Sequence, residues 1–121
     1  MAKILLIDDD PDVRQVMSTM LTKEGYEVDT ASKKEEALEK LATGTPSLIL
    51  LDVLLSGDDG RELCREIKAR EKTRNVPVIM LSGHPSAGQQ LETYGADDFI
   101  AKPFTTELLL AKMSRQMKEG K

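Results

Sequence analysis

Tryptophan is absent from this chain, and phenylalanine and tyrosine occur only twice each. Proteins that grip single-stranded nucleic acids stack bases on aromatic side chains, so a stacking platform is excluded. Lysine and arginine number 17 against 21 acidic residues, a formal net charge of −4, with no basic cluster. That balance argues against direct nucleic-acid binding, whose affinity comes largely from neutralising phosphates. Cysteine occurs once, so no internal disulfide can form. Cys64 lies in GRELCREIK, four residues before Lys68, and reads as a small packing residue on a helix. Apolar runs extend for only a few residues, far short of a membrane span. No basic, apolar and small-residue series opens the chain, so no secretory leader is expected, and a reducing, cytoplasmic compartment fits best.

What the chain does have is a regular alternation. Its 121 residues, 40% hydrophobic and 31% charged, suit a single domain over 1–121 with one packed interior. Strand-like apolar runs fall at Ile4–Ile7, Tyr26–Ala31, Leu48–Leu51, Val76–Leu81 and Phe99–Ala101. Between them, Val13, Val16, Met17, Met20 and Leu21 follow the stripe of an amphipathic helix. Ala37, Leu38 and Leu41 mark a second helix, Leu63 and Ile67 a third, and Leu108, Leu109, Met113 and Met117 the last. Between the third and the last, HPSAGQQLETYG carries Pro85 and Gly88, which predicts a short helix confined to Gln89–Tyr94.

Boundary residues agree. Asp10 followed by Pro11 is an N-cap with proline at the first helical position. Ser32-Lys33-Lys34-Glu35 has the form of a capping box. Gly25, Gly44 and Gly95 fall where helices are expected to stop on a left-handed residue. Five strands alternating with five helices imply parallel pairing through right-handed crossovers, in a sheet covered on both faces. The expected fold is a doubly wound α/β domain, a five-stranded parallel sheet flanked by helices.

The polar residues that end the strands carry the chemistry. ILLI runs into Asp8, Asp9 and Asp10, LILL ends in Asp52, VIML in Ser82 and FIA in Lys102. In a parallel sheet these groups share the carboxyl edge, where doubly wound folds bind ligands. Taken singly, each has an ordinary explanation: a helix cap for Asp10, a strand end for Asp52, a turn for Ser82, a solvated lysine at Lys102. Together they form an oxygen-only acidic cluster suited to Mg²⁺, beside an ammonium and a hydroxyl that can meet phosphoryl oxygens. One carboxylate is then left to act as nucleophile and form an acyl phosphate.

At this point the sequence strongly resembles the receiver domain of bacterial two-component response regulators. The resemblance runs from KILLIDDDP through LILLDVLLSGDDG and VIMLSG to GADDFIAKPF, essentially the whole chain. It implies the flavodoxin-like strand order 2-1-3-4-5. It also implies that Asp52, eight residues before Gly60, is the phosphoacceptor. Asp8 and Asp9 match the family's acidic pair, and Leu54 would add its backbone carbonyl to a Mg²⁺ site completed by Asp52. Ser82 matches the switch hydroxyl, Phe99 the switch aromatic and Lys102 the phosphoryl-site lysine, with a cis peptide implied at Lys102–Pro103. The implied partners are a sensor histidine kinase or a histidine phosphotransfer protein, and a downstream protein. Neither nucleic acid nor membrane is expected to bind directly.

Departures from the family pattern lie close to the site. Ser56 stands where a proline is usual, and the stretch from Ser82 to Gly95 is about two residues shorter than usual. Leu54 and His84 occupy positions that, in the family, tune the life of the phosphoryl group. Two other functions compete. IDDDPD also fits a haloacid-dehalogenase-like phosphatase with Asp8 as nucleophile and Asp10 as acid/base, although that leaves Asp52 unexplained. An unphosphorylated receiver-like interaction module is the other, disfavoured by the complete set of acids, serine and lysine.

Overall fold

The computed structural model describes residues 2–55, 57–83 and 93–119. In chain order the elements are β1 (Lys3–Ile7), α1 (Pro11–Lys23), β2 (Glu27–Ala31), α2 (Lys34–Thr43), β3 (Leu48–Asp52), β4 (Leu54–Leu55), β5 (Asp58–Asp59), α3 (Gly60–Ala69), β6 (Val78–Ser82), β7 (Asp98–Ala101) and α4 (Thr106–Glu119). Five strands form one parallel sheet in the order β2-β1-β3-β6-β7. Counting the sheet strands alone, that is the expected order 2-1-3-4-5.

Side chains alternate across each strand, and both faces are covered. Leu5, Ile7, Ile49, Leu51, Val78 and Met80 face α2 and α3, where they meet Ala37, Leu41, Leu63, Cys64 and Ile67. Ile4, Leu6, Leu48, Leu50, Ile79, Leu81 and Ile100 face α1 and α4 through Met17, Leu21, Leu109 and Met113. Each large aliphatic side chain removed from water contributes roughly 1.5–3 kcal/mol. Cys64 is fully buried in this interior, and burial pushes its thiol up to about 11. It is a packing residue, as its position in GRELCREIK predicts.

Two strands start later than expected, β2 at Glu27 and β6 at Val78, while β1 and β7 each start one residue earlier, at Lys3 and Asp98. Tyr26 donates its N–H to Leu21 O at the end of α1, and Val76 donates to Thr73 O, so both belong to turns. The N-cap at Asp10 is as expected: its carboxylate accepts from the N–H groups of Asp12 (2.9 Å) and Val13 (3.4 Å). The α2 start differs by one residue. Glu36, not Glu35, reaches back to the Ser32 N–H at 2.7 Å, because the helix begins at Lys34. Gly25 and Gly95 have φ of +96° and +90°, as helix stops do, whereas Gly44, at φ 175°, is extended backbone that any residue adopts. In α4, Leu109 and Met113 are buried but Leu108 is exposed.

Four α-helices lie among the described residues. The short helix expected within Gln89–Tyr94 falls mostly outside them, although Thr93 and Tyr94 lie in a 3₁₀ turn. The sequence carries no periodicity that marks the two-rung antiparallel hairpin of β4 and β5, which pairs Leu54 with Asp59 and Leu55 with Asp58. It fills the connection between β3 and α3. At its end Gly60 packs so closely under the sheet that a Cβ there would lie 2.0 Å from the Asp52 carbonyl oxygen. Only glycine fits there.

Candidate functional site

The carboxyl edge of the sheet holds the expected groups. Asp8 continues β1, its N–H donating to Ala31 O at 3.1 Å, while Arg14 Nη1 donates to the Asp8 carbonyl at 2.7 Å. The side chain is almost completely buried. Its Oδ1 accepts from the Asp10 N–H at 2.9 Å, and its Oδ2 lies 3.2 Å from Lys102 Nζ. Asp52 ends β3, and Lys102 Nζ reaches its Oδ2 at 3.2 Å as well. The other oxygen, Oδ1, accepts from the Leu54 N–H at 3.0 Å. Asp9 completes the cluster, in which one carboxylate oxygen from each of Asp8, Asp9 and Asp52 lies within 4.8 Å of the others.

Ser82 ends β6, and Lys102 directly follows the neighbouring strand β7. The Lys102 N–H donates to Ser82 O at 2.7 Å, so the two residues are fixed to each other through backbone. Ser82 is buried, and the Lys102–Pro103 bond is cis, as the resemblance implies. Phe99 sits further back, paired with Met80, and packs half-buried against the face covered by α2 and α3. Leu54 is 66% exposed, an apolar side chain at the lip of the site. The hydrogen bond from its N–H to the Asp52 carboxylate is not evident from the sequence. A residue two beyond a strand end can turn its N–H back onto that carboxylate, which is the only signal the sequence offered. His84 lies outside the described residues.

Electrostatics explain why these acids need a partner. Burial raises the Asp52 pKa, the Leu54 N–H and Lys102 oppose it, the Asp8 charge adds to it, and the balance is upward. For Lys102, burial favours the neutral amine, but Asp52 and Asp8 outweigh it and its pKa is raised too. Both shifts describe one condition, a site that takes up positive charge readily. Three carboxylates face one ammonium, leaving a formal excess of two negative charges. Oxygen-only donors at this spacing, short of two positive charges, fit a hard divalent cation such as Mg²⁺.

The arrangement does not suit the phosphatase alternative. The Asp10 carboxylate is occupied in capping α1, and Asp8 is almost completely buried, at 1% exposure. Asp52, with 14% of its side chain exposed, is the more open acid.

Comparison with known families gives the same answer. The family model for the response regulator receiver domain matches residues 4–114. The chain belongs to this family. It is a phosphorylation-based signalling module of two-component systems, a phosphoacceptor domain rather than a conventional enzyme. The receiver is 34% identical to the phosphate regulon transcriptional regulatory protein PhoB of Rhizobium meliloti, over 98% of this chain and 53% of that protein. It thus spans about half the length of that curated relative. Among solved structures, chemotaxis protein CheY4 of Vibrio cholerae superposes with a TM-score of 0.88 at 33% identity, covering 95% of this chain and 98% of that one. The receiver domain of a Pseudomonas aeruginosa sensor histidine kinase gives 0.89 at 31% identity, covering 97% and 98%, and carries a magnesium ion in its active-site cleft. Among the described residues, no helix is long and apolar enough to cross a membrane.

Proposed function

We propose that Asp52 is the residue of this receiver that accepts the phosphoryl group, from a histidine kinase or a histidine phosphotransfer protein. The observation that carries the reading is the bridging position of Lys102, 3.2 Å from both Asp8 Oδ2 and Asp52 Oδ2, with Asp52 the more open acid of the two. Asp8, Asp9 and Asp52, with the Leu54 carbonyl, are the groups that would hold Mg²⁺. When bound, the ion supplies positive charge to the phosphoryl oxygens and offsets the crowding of carboxylates.

In the transfer, an Asp52 carboxylate oxygen attacks phosphorus in line with the donor imidazole. The O–P bond forms as the N–P bond breaks, and the imidazole nitrogen leaves with the electron pair and is protonated from water. The Lys102 ammonium, already on Asp52, follows the charge onto a phosphoryl oxygen, and the Ser82 hydroxyl donates to another. Phe99 then turns toward the space that Ser82 vacates, and the surface beside β7 changes for a downstream partner. Water attack on phosphorus resets the site.

Residues 1–121 act here as one receiver unit, in a cytoplasmic setting where nucleotide-fuelled histidine kinases work. The phosphodonor has a place to dock. An apolar groove of about 590 Å³, lined by Val13, Val16, Met17 and Met20 of α1 and by Phe104, shares Lys102 and Pro103 with the site. A helix of the histidine-bearing partner seated there would bring its phosphohistidine to Asp52.

Intact mass after incubation with Mg²⁺ and acetyl phosphate tests the assignment. One phosphoryl group is expected on wild type and none on Asp52→Asn. A gain that survives Asp52→Asn and is lost in Asp8→Asn would transfer the nucleophile to Asp8.

A further inference from the structure

Away from the carboxylate cluster, α3 carries Arg61, Arg65 and Lys68 at i, i+4 and i+7, a single stripe on one helix face. The chain entering β7 is seated along that stripe. The Tyr94 ring meets the guanidinium carbons of Arg61 and Arg65, 5.6 and 4.6 Å from its centroid. Gly95 covers the Lys68 stem so closely that a Cβ there would lie 2.9 Å from Lys68 Cγ. Lys68 Nζ closes the far end on Asp97 Oδ2 at 2.7 Å.

The near end of the stripe is tied to Asp52 through direct contacts. Arg61 Nε and Nη2 donate to the two carboxylate oxygens of Asp59, at 3.1 and 3.0 Å. These bonds hold the Asp59 carboxyl below its ordinary range. Asp59 pairs with Leu54 across the β4–β5 hairpin, and the Leu54 N–H donates to Asp52 Oδ1 at 3.0 Å. The hairpin has only two rungs, so Leu54 and Asp59 are held to each other without a longer ladder to spread a shift of either one. The run Asp52, Leu54, Asp59, Arg61, Tyr94 passes through neither Ser82 nor Phe99.

We propose that Tyr94 is a second reporter of the state of Asp52, coupled to it through the Leu54–Asp59 hairpin and Arg61 and independent of Phe99. The inference rests on Asp52 being the phosphoacceptor. Acyl phosphate formation removes negative charge from the Asp52 carboxylate and sets phosphoryl oxygens beside it, which are stronger acceptors for the Leu54 N–H. The amide follows them, and its hairpin partner Asp59 moves with it. Arg61 grips Asp59 at two points, so its guanidinium shifts over the Tyr94 ring. The consequence is a change in how the segment before β7 sits on α3.

Fluorine NMR of protein carrying fluorotyrosine tests this. The chain has two tyrosines, Tyr94 and, against the opposite sheet face, Tyr26, which serves as reference. Mg²⁺ with beryllofluoride mimics the phosphoryl group, and fluoride bound at the site appears in the same spectrum. The Tyr94 resonance is expected to shift in wild type and in Phe99→Leu, and to stay put in Asp59→Asn. Asparagine still caps α3 but no longer holds Arg61 by charge. A Tyr94 signal that stays still with fluoride bound overturns the inference alone, as does a shift that persists in Asp59→Asn or vanishes in Phe99→Leu. Absence of bound fluoride in wild type overturns the Asp52 assignment and this inference with it.

Discussion

Gly60 and Asp52 are in backbone contact: a Cβ on Gly60 would stand 2.0 Å from the Asp52 carbonyl oxygen and 2.8 Å from that of Val53. Both neighbours are main chain, so neither can swing aside. The Gly60 N–H also donates to Val53 O at 2.7 Å, which locks the start of α3 to the end of β3. Gly60→Ala therefore forces backbone apart at the residue that carries the site. Overpacking of this kind typically costs about 1–3 kcal/mol. Urea unfolding should show a lower midpoint, together with slower labelling by acetyl phosphate. An unchanged midpoint would mean that α3 moves away at no cost, and that the contact does not position Asp52.

The pH dependence of stability follows from the environment of Asp52. Burial, reinforced by the Asp8 charge, raises its pKa above the ordinary 3.8. A carboxyl that binds its proton more tightly when folded loses stability on ionising. The loss is absent well below 3.8, where both states are protonated, grows as pH rises through the raised value, and is complete above it. Asp52→Asn removes that loss and keeps an oxygen for the Leu54 N–H, while Lys102 retains Asp8. In metal-free buffer the variant should melt higher than wild type at neutral pH, and the gap should close on acidification. Equal or reversed melting temperatures at neutral pH would show that the Lys102 pair outweighs burial.

Much of the site could be read from the sequence because it sits where strands stop. Apolar runs that end in Asp8, Asp52, Ser82 and Lys102 locate one sheet edge without any tertiary information. The helix cap at Asp10 was equally local. What escaped was whatever depends on a choice between near-equivalent neighbours or on contacts between distant segments. Glu35 and Glu36 are chemically identical candidates for Ser32, and only the start of α2 at Lys34 selects the second. LLSGDDG carries turn chemistry, but two-residue strands leave no periodicity from which to infer a hairpin. The seat of Tyr94 on Arg61 and Arg65 joins segments far apart in the chain.

Divalent metal should stabilise the fold itself. The acidic cluster carries a formal excess of two negative charges over Lys102, and a cation that binds only the folded state adds stability by mass action. At a hundred times its dissociation constant that gain is about 2.7 kcal/mol. Thermal melts in Mg²⁺ should therefore lie above melts in EDTA, with the difference abolished in Asp9→Asn and reduced at acid pH as protons compete for the same oxygens. Equal melts for wild type in both buffers would sink the assignment of these residues as a cation site.

If the phosphodonor docks in the α1 groove as proposed, a change at Val16 should separate recognition of the partner from chemistry. Val16 belongs to the apolar stripe of α1, yet it is 67% exposed, because the stripe is wider than the face the sheet covers. The surplus forms the wall of the groove that ends at Lys102 and Pro103. A charge placed on this wall costs the fold little, since the position already faces water, but it puts an unpaired carboxylate where a partner helix must bury apolar surface. Val16→Asp should thus leave the melting temperature and the acetyl phosphate reaction near wild type. Transfer from a phosphorylated histidine phosphotransfer protein should fall by roughly ten-fold or more, the equivalent of about 1.4 kcal/mol in docking. Because the small donor needs no groove, the two rates must diverge. If they fall together the residue supports the site, and if neither falls the phosphodonor docks elsewhere.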